Sequence, residues 1–151
     1  MNIVVDDLQG ADIASFVLAH LQDAAQHSPP GSIHALDIES LRSPGITVWT
    51  VRQGGDLMGC GALRELSPSH GEIKSMRTAP AHRRKGVATR MLHHLLQEAN
   101  RRGYERLSLE TGSMAAFAPA RSLYARFGFQ FCGPFADYVE DPYSLFMTRK
   151  L

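Results

Sequence analysis

Cysteine is scarce in this chain: Cys60 and Cys132 are the only two in 151 residues, far apart and without C-x-x-C spacing. That excludes a disulfide framework, and both thiols are expected to be reduced and buried in apolar, strand-like surroundings. Long hydrophobic runs are absent as well, so no segment reaches the ~20 apolar residues of a membrane-spanning helix. The first residues, Met1-Asn2-Ile3-Val4-Val5-Asp6-Asp7, lack the cationic start and apolar stretch of a secretory leader, and a cytoplasmic protein is expected. Neither sign of charge dominates: 16 Lys and Arg against 15 Asp and Glu leave a net charge of +1. Bulk charge therefore gives no reason to expect nucleic acid as a partner. The glycine signatures G-x-x-x-x-G-K-[ST] and G-x-G-x-x-G are missing, which argues against a nucleoside triphosphatase and a dinucleotide oxidoreductase. No His, Cys and Asp residues fall at metal-ligand spacing, and there are no repeats or low-complexity tracts.

What is present suffices for one packed domain. With 44% hydrophobic and 21% charged residues, residues 1–151 have the composition of one globular domain and are too few for two ordinary ones. A strand is expected over 2–6. Over 12–26, Ile13, Phe16, Val17, Leu21 and Ala24 recur at helical spacing, and Ser28-Pro29-Pro30-Gly31 ends that helix. A short helix over 37–42 has Asp37 as its cap. Gln53-Gly54-Gly55-Asp56 joins strands at 47–52 and 57–66 as a hairpin, and a second turn at 67–71 leads into a strand at 72–78. A helix at about 86–102, a strand at 106–110, a helix at 116–127 stopped by Gly128, and strands at 129–132 and 143–149 follow. The order describes a mixed α/β domain, an antiparallel meander first and βαβ character after it.

The most informative stretch is Arg83-Arg84-Lys85-Gly86-Val87-Ala88, directly ahead of a helix marked by Met91, Leu92, Leu95, Leu96 and Ala99. A helix N-terminus carries partial positive charge and unpaired N–H groups, so three cations there are unfavourable on their own. An anion, most naturally a phosphate, would complete them, and Gly86 would let the backbone approach it closely. A solvated basic loop is the plain alternative. Nucleic-acid binding through residues 83–85 and Arg77 is disfavoured by the near-neutral total charge and by the lack of aromatics in the patch.

Further on lies Leu123-Tyr124-Ala125-Arg126-Phe127-Gly128-Phe129. With both stretches in this order, the chain resembles the GNAT superfamily of acyl-CoA-dependent N-acyltransferases. The pyrophosphate motif of that family, Q/R-x-x-G-x-G/A, is matched by Arg83, Gly86 and Ala88. Its later element, L-Y-x-x-x-G-F, is matched by Leu123, Tyr124, Gly128 and Phe129. The likeness covers residues 45–150 well, and the first 45 residues agree in element order only. It implies the GNAT fold, a central mixed, mostly antiparallel, twisted sheet flanked by helices. It also implies direct transfer of an acetyl group from acetyl-CoA, as co-substrate, to a primary amine of a small molecule or peptide. No metal, nucleic acid or membrane belongs to that picture, and a homodimer is compatible with it.

The resemblance also implies roles. Amides of Lys85, Gly86, Val87, Ala88 and Thr89 would hold the coenzyme A pyrophosphate, with charge-assisted contacts from Arg83 and Arg84. Met76, Thr78 and Tyr124 would complete the coenzyme site. An alkylammonium of pKa ~10.4 must lose a proton before it attacks a thioester. Glu72, where several family members carry a catalytic carboxylate, is the expected general base, directly or through water. The backbone N–H of Met76 would meet the developing oxyanion. Tyr124 holds the family position of the general acid for the coenzyme A thiolate. Where the family often has an asparagine seven residues before this tyrosine, the chain has Phe117, so contacts to the pantetheine arm there are apolar or made by backbone. Ser32, His34 and Tyr138 are the candidates on the acceptor side. The rival reading is a non-catalytic acyl-CoA-binding regulatory module, which the presence of both Glu72 and Tyr124 argues against.

Overall fold

The computed structural model of the chain describes residues 1–32 and 36–151, so His34 lies outside the described residues. Seven strands, β1 (Asn2–Val5), β2 (Ile46–Gln53), β3 (Asp56–Ser67), β4 (His70–Thr78), β5 (Arg106–Gly112), β6 (Gln130–Cys132) and β7 (Ser144–Lys150), form one sheet. Their spatial order is β1-β2-β3-β4-β5-β7-β6. Every neighbouring pair is antiparallel except β4 and β5. That exception follows from the connection: a whole helix carries the chain from the end of β4 back to the start of β5, as a parallel pair requires. The helices are α1 (Ala11–His27), α2 (Ile38–Leu41), α3 (Val87–Arg101) and α4 (Ala118–Arg126).

Alternation along the strands divides the apolar residues between two faces. On one face Trp49, Val51, Leu63 and Ile73 meet Met91, Leu92 and Leu95 of α3, together with Leu123 and Tyr124 of α4. On the other, Val48, Cys60 and Ala62 meet Ile13 and Val17 of α1 and Leu41 of α2. Burying each large apolar side chain contributes about 1.5–3 kcal/mol. Six buried residues on α3 therefore outweigh the electrostatic cost, ~0.3–1 kcal/mol per charge, of the cations at its start.

The elements lie where the sequence places them, with differences at their ends. Asp37 caps α2, its Oδ1 accepting the backbone N–H of Ser40 at 2.7 Å. The helix expected from 116 begins at Ala118, with a proline in its first turn and a 3₁₀ turn at Ala115–Phe117 before it. Cys60 is buried, but Cys132 is half-buried rather than enclosed. The reason is its strand: β6 is three residues long, lies at the sheet edge and pairs with β7 alone.

One irregularity positions everything that follows. β4 and β5 pair only where His70–Ile73 face Arg106–Leu109. Beyond Ile73 and Leu109 the two strands continue without each other, so the sheet opens into a wedge. Within it β4 carries a bulge, since Ala62 faces Lys74 while Cys60 faces Arg77. Ser75 sits in that bulge at φ +53°, and the Cys60 thiol donates to its carbonyl at 3.1 Å.

Candidate active site

The wedge contains a cavity of about 150 Å³. β4 supplies Glu72, Lys74, Ser75 and Met76 to its wall, and β5 supplies Glu110, Thr111 and Gly112. Ala120 and Tyr124 of α4 and Phe117 line it, and so do His20 and Ala24 of α1 with Ser28, Ser32 and Tyr143. Because α1 and α4 pack on opposite faces of the sheet, the cavity runs through the sheet. Gly112 permits its shape: a Cβ there would stand 2.2 Å from the ring of Phe117, which folds over the end of β5.

Glu72 is completely buried, at 0% exposure. A lone carboxylate in such a place would be costly, and it is compensated by partners. The Tyr138 hydroxyl donates to Glu72 Oε2 at 2.6 Å and accepts from Lys74 Nζ at 2.8 Å. Lys74 Nζ itself lies 3.6 Å from Oε2, and the Arg64 guanidinium lies 4.0 Å from Oε1. Oε1 has no hydrogen-bond partner among the described residues. Burial, then the charge and hydrogen bond of Glu72, push the Tyr138 phenol above its usual range, which keeps it a donor. The segment that brings Tyr138 here is held by ring contacts of Phe135 and Tyr138 with Phe146, at centroid distances of 5.8 and 5.6 Å. Ser32 joins it to the early part of the chain by donating to Asp141 Oδ2 at 2.6 Å.

Across the wedge stands Glu110, which sequence reasoning passed over. It is half-buried on the cavity wall, and Ser144 Oγ donates to its Oε1 at 3.3 Å. Burial pushes its carboxyl up to about 7, against the opposing pull of Lys74 and the Ser144 hydrogen bond. The available signal was the alternation of Ser108 and Glu110 with Leu107 and Leu109, two polar residues on one face of an otherwise apolar strand. Tyr124 is 6% exposed, and burial together with the charge of Glu110 lifts its phenol above the ordinary value. On the α1 side, burial and the charge of Arg77 lower His20 to about 4.

The cations sit elsewhere, on the β4–α3 connection beyond Met76. Arg83, Arg84, Lys85, Gly86 and Thr89 are exposed, Thr78 and Ala88 are half-buried, and the Val87 side chain is in the core, so Val87 offers only its backbone. Gly86 is the N-cap of α3 at φ +81°, a left-handed conformation that glycine adopts without strain, and no side chain caps the helix. The first N–H groups of α3 thus start beside three cations with no carboxylate or hydroxyl on them, a setting that suits a phosphate. Arg77 does not join this group; its Nη1 pairs with Asp23 of α1 at 3.1 Å. Among the sequence candidates, then, Glu72, Met76, Tyr124 and Ser32 converge on the cavity. Tyr138 stands behind Glu72, while Thr78 and residues 83–89 form a separate basic mouth.

Comparison with known proteins bears on the family and the fold. Residues 14–129 match the model of the acetyltransferase (GNAT) family. An uncharacterized N-acetyltransferase of Bacillus subtilis (strain 168), YsnE, is 61% identical over 151 residues, covering 100% of both chains. A second, YedL of Escherichia coli (strain K12), is 48% identical over 150 residues, covering 99% of this chain and 94% of its own. Among solved structures, a Klebsiella pneumoniae protein assigned as an acyl-CoA N-acyltransferase superposes with a TM-score of 0.78 at 28% identity, over 99% of this chain and 97% of that one.

Proposed function

The chain belongs to the acetyltransferase (GNAT) family and is an acyltransferase; from that premise we propose that it transfers an acetyl group from acetyl-CoA directly to a primary amine of a small molecule or peptide. The observation that carries this reading is the through-sheet cavity, with Tyr124 on one wall and two carboxylates, Glu72 and Glu110, within it. Two substrates entering from opposite faces meet there without a covalent enzyme intermediate.

In this proposal Arg83, Arg84 and Lys85 and the open amides from Gly86 to Thr89 hold the phosphates of the coenzyme. Phe117, Gly112 and Met76 flank the thioester end, Thr78 flanks the approach, and acetyl-CoA supplies the electrophilic carbonyl carbon. The N–H of Met76 donates to the carbonyl oxygen as that oxygen gains negative charge, a contact of the kind typically worth about 2.7–4 kcal/mol. Tyr124 holds its proton until sulfur leaves, and its raised pKa keeps it protonated through the neutral range. Ser32 lies toward the acceptor, and Tyr138 closes that side over Glu72. With Glu72 enclosed, a substrate proton reaches it only by an indirect route through Tyr138 or a water.

The test is calorimetric titration with coenzyme A, followed by thiol release from acetyl-CoA over a panel of amines. Binding with turnover supports the reading. Absence of coenzyme A binding overturns it, and binding without transfer to any amine favours a regulatory acyl-CoA-binding module.

A further inference from the structure

We propose that Glu110 is the group that takes the proton from the acceptor ammonium, and that Glu72 is a buried positioning residue behind it. This rests on the acetyl-transfer reading and assigns a step within it.

The two carboxylates differ in access. Glu72 has no exposed surface: its Oε2 accepts from Tyr138 with Lys74 3.6 Å away, and its Oε1, without a hydrogen-bond partner among the described residues, is enclosed with the Arg64 guanidinium 4.0 Å away, so an incoming ammonium does not reach the carboxylate directly. Glu110 is half-buried on the cavity wall. It is the first β5 residue beyond the last β4–β5 pair, Ile73 with Leu109, and so stands where the wedge opens. Among the described residues its side chain accepts one hydrogen bond, from Ser144 at 3.3 Å, which is long and leaves lone pairs for a donor. It also lies close enough to Tyr124 for its charge to raise that phenol. Base and acid therefore share one small space, as attack on a carbonyl and departure of its sulfur require.

The charged and titratable groups around Glu110 are Lys74 and Glu72 on β4, Asp141 and Tyr138 from the segment before β7, and Tyr124 on α4. His20 faces the same cavity from α1. Burial, offset in part by Lys74 and reinforced by Glu72 and Asp141, pushes the Glu110 carboxyl up to about 7, matched to receiving and releasing a proton near neutrality. Glu72, in turn, fixes Tyr138 and Lys74 and contributes negative charge that favours a cation in the cavity. The step balances. One ammonium proton passes to Glu110 and later to solvent, and the free amine forms the C–N bond as the C–S bond breaks. A second proton goes to the departing sulfur through Tyr124, which gives its own and regains one from the nitrogen. The third remains on the amide.

The experiment compares wild type with Glu110→Gln, Glu110→Asp and Glu72→Gln. The acceptor is the fastest found among putrescine, methionine, kanamycin and an alanine-initiated peptide, and initial rates are followed from pH 5.5 to 9. Coenzyme A affinity of each variant, by calorimetry, reports that the fold is intact. Glu110→Gln is expected to lower kcat by about 10²–10³-fold. It should abolish the rising limb of kcat/KM centred near pH 7 and leave coenzyme A affinity unchanged. Glu110→Asp should slow turnover yet keep the limb. Glu72→Gln should keep the limb as well, with its loss mainly in KM for the amine. Loss of the limb in Glu72→Gln and its retention in Glu110→Gln would overturn the assignment while leaving the acetyl-transfer reading intact. A wild-type protein that binds coenzyme A but acetylates none of the four overturns both.

Discussion

At the scale of single residues, a half-buried acid, a half-buried histidine on the cavity wall and a buried phenol make statements that can be checked. Tyr124 combines 6% exposure with a raised pKa, so it keeps its proton in the resting protein, as the proposed role of donor to the departing sulfur requires. Tyr124→Phe keeps the ring contact with Phe129 at 5.8 Å and removes only the hydroxyl. Its single-turnover rate should fall about 10²-fold with little change in coenzyme A affinity; an unchanged rate would remove Tyr124 from the chemistry. Glu110 also makes a stability prediction. Its folded pKa of about 7 lies above the reference value of 4.5. Between these values the folded protein keeps a proton that the unfolded chain has lost, so stability falls as pH rises through the window and stays lowered above it. The full penalty is on the order of 3 kcal/mol at most. Glu110→Gln should therefore unfold at the same temperature as wild type near pH 4 and at a higher one near pH 8, as thermal denaturation across that range would show. His20 works in the opposite direction: its pKa is depressed to about 4, so it contributes stability at neutral pH that is lost on acidification from about 6.5 toward 4.

At the scale of elements, the proposed function rests on the start of α3 and on the parting of β4 from β5, and the two were not equally legible. The basic turn could be read because its meaning is local: Gly86 precedes an apolar helical stripe, and three cations there call for an anion. The structure adds that Gly86 sits at φ +81° with open space around it. Gly86→Val would thus fail through backbone strain, about 1–2 kcal/mol, rather than through a clash. Its expected signature is weaker coenzyme A binding, about ten-fold, with a modest fall in Tm. Undiminished affinity would show that the turn is not the phosphate site. The wedge, by contrast, depends on strand register and on where pairing stops, which one sequence does not display. Glu110 went unnoticed for that reason, since the end of β5 looks like any strand end until β4 is known to have left it. Glu72 was singled out by a strand position where the resemblance implies a carboxylate, yet its enclosure by Tyr138 joins residues 66 positions apart and has no local trace. Cys132 misled in the other direction, because an apolar neighbourhood in sequence does not say that a strand lies at an edge.

At the scale of the whole molecule, the opposite placement of α1 and α4 bears on the kinetic mechanism of the proposed transfer. If donor and acceptor enter the through-sheet cavity from opposite faces, as proposed, chemistry waits for both. A relay through an acylated enzyme would need a nucleophile on the cavity wall. The two thiols do not provide one: Cys60 is buried, pushed up to about 12 by burial and engaged with the Ser75 carbonyl, and Cys132 lies on the edge strand β6. Ser32 is committed to Asp141, Tyr138 behind the wall to Glu72, and the Ser75 hydroxyl on the wall has no hydrogen-bonded base among the described residues to activate it. Initial-rate plots against acetyl-CoA at several amine concentrations should therefore intersect. Coenzyme A should inhibit competitively with acetyl-CoA, and the mass of protein incubated with acetyl-CoA alone should not change. Parallel lines with a protein-bound acetyl group would mean that the two faces act in turn, and that the opening between β4 and β5 holds one substrate at a time.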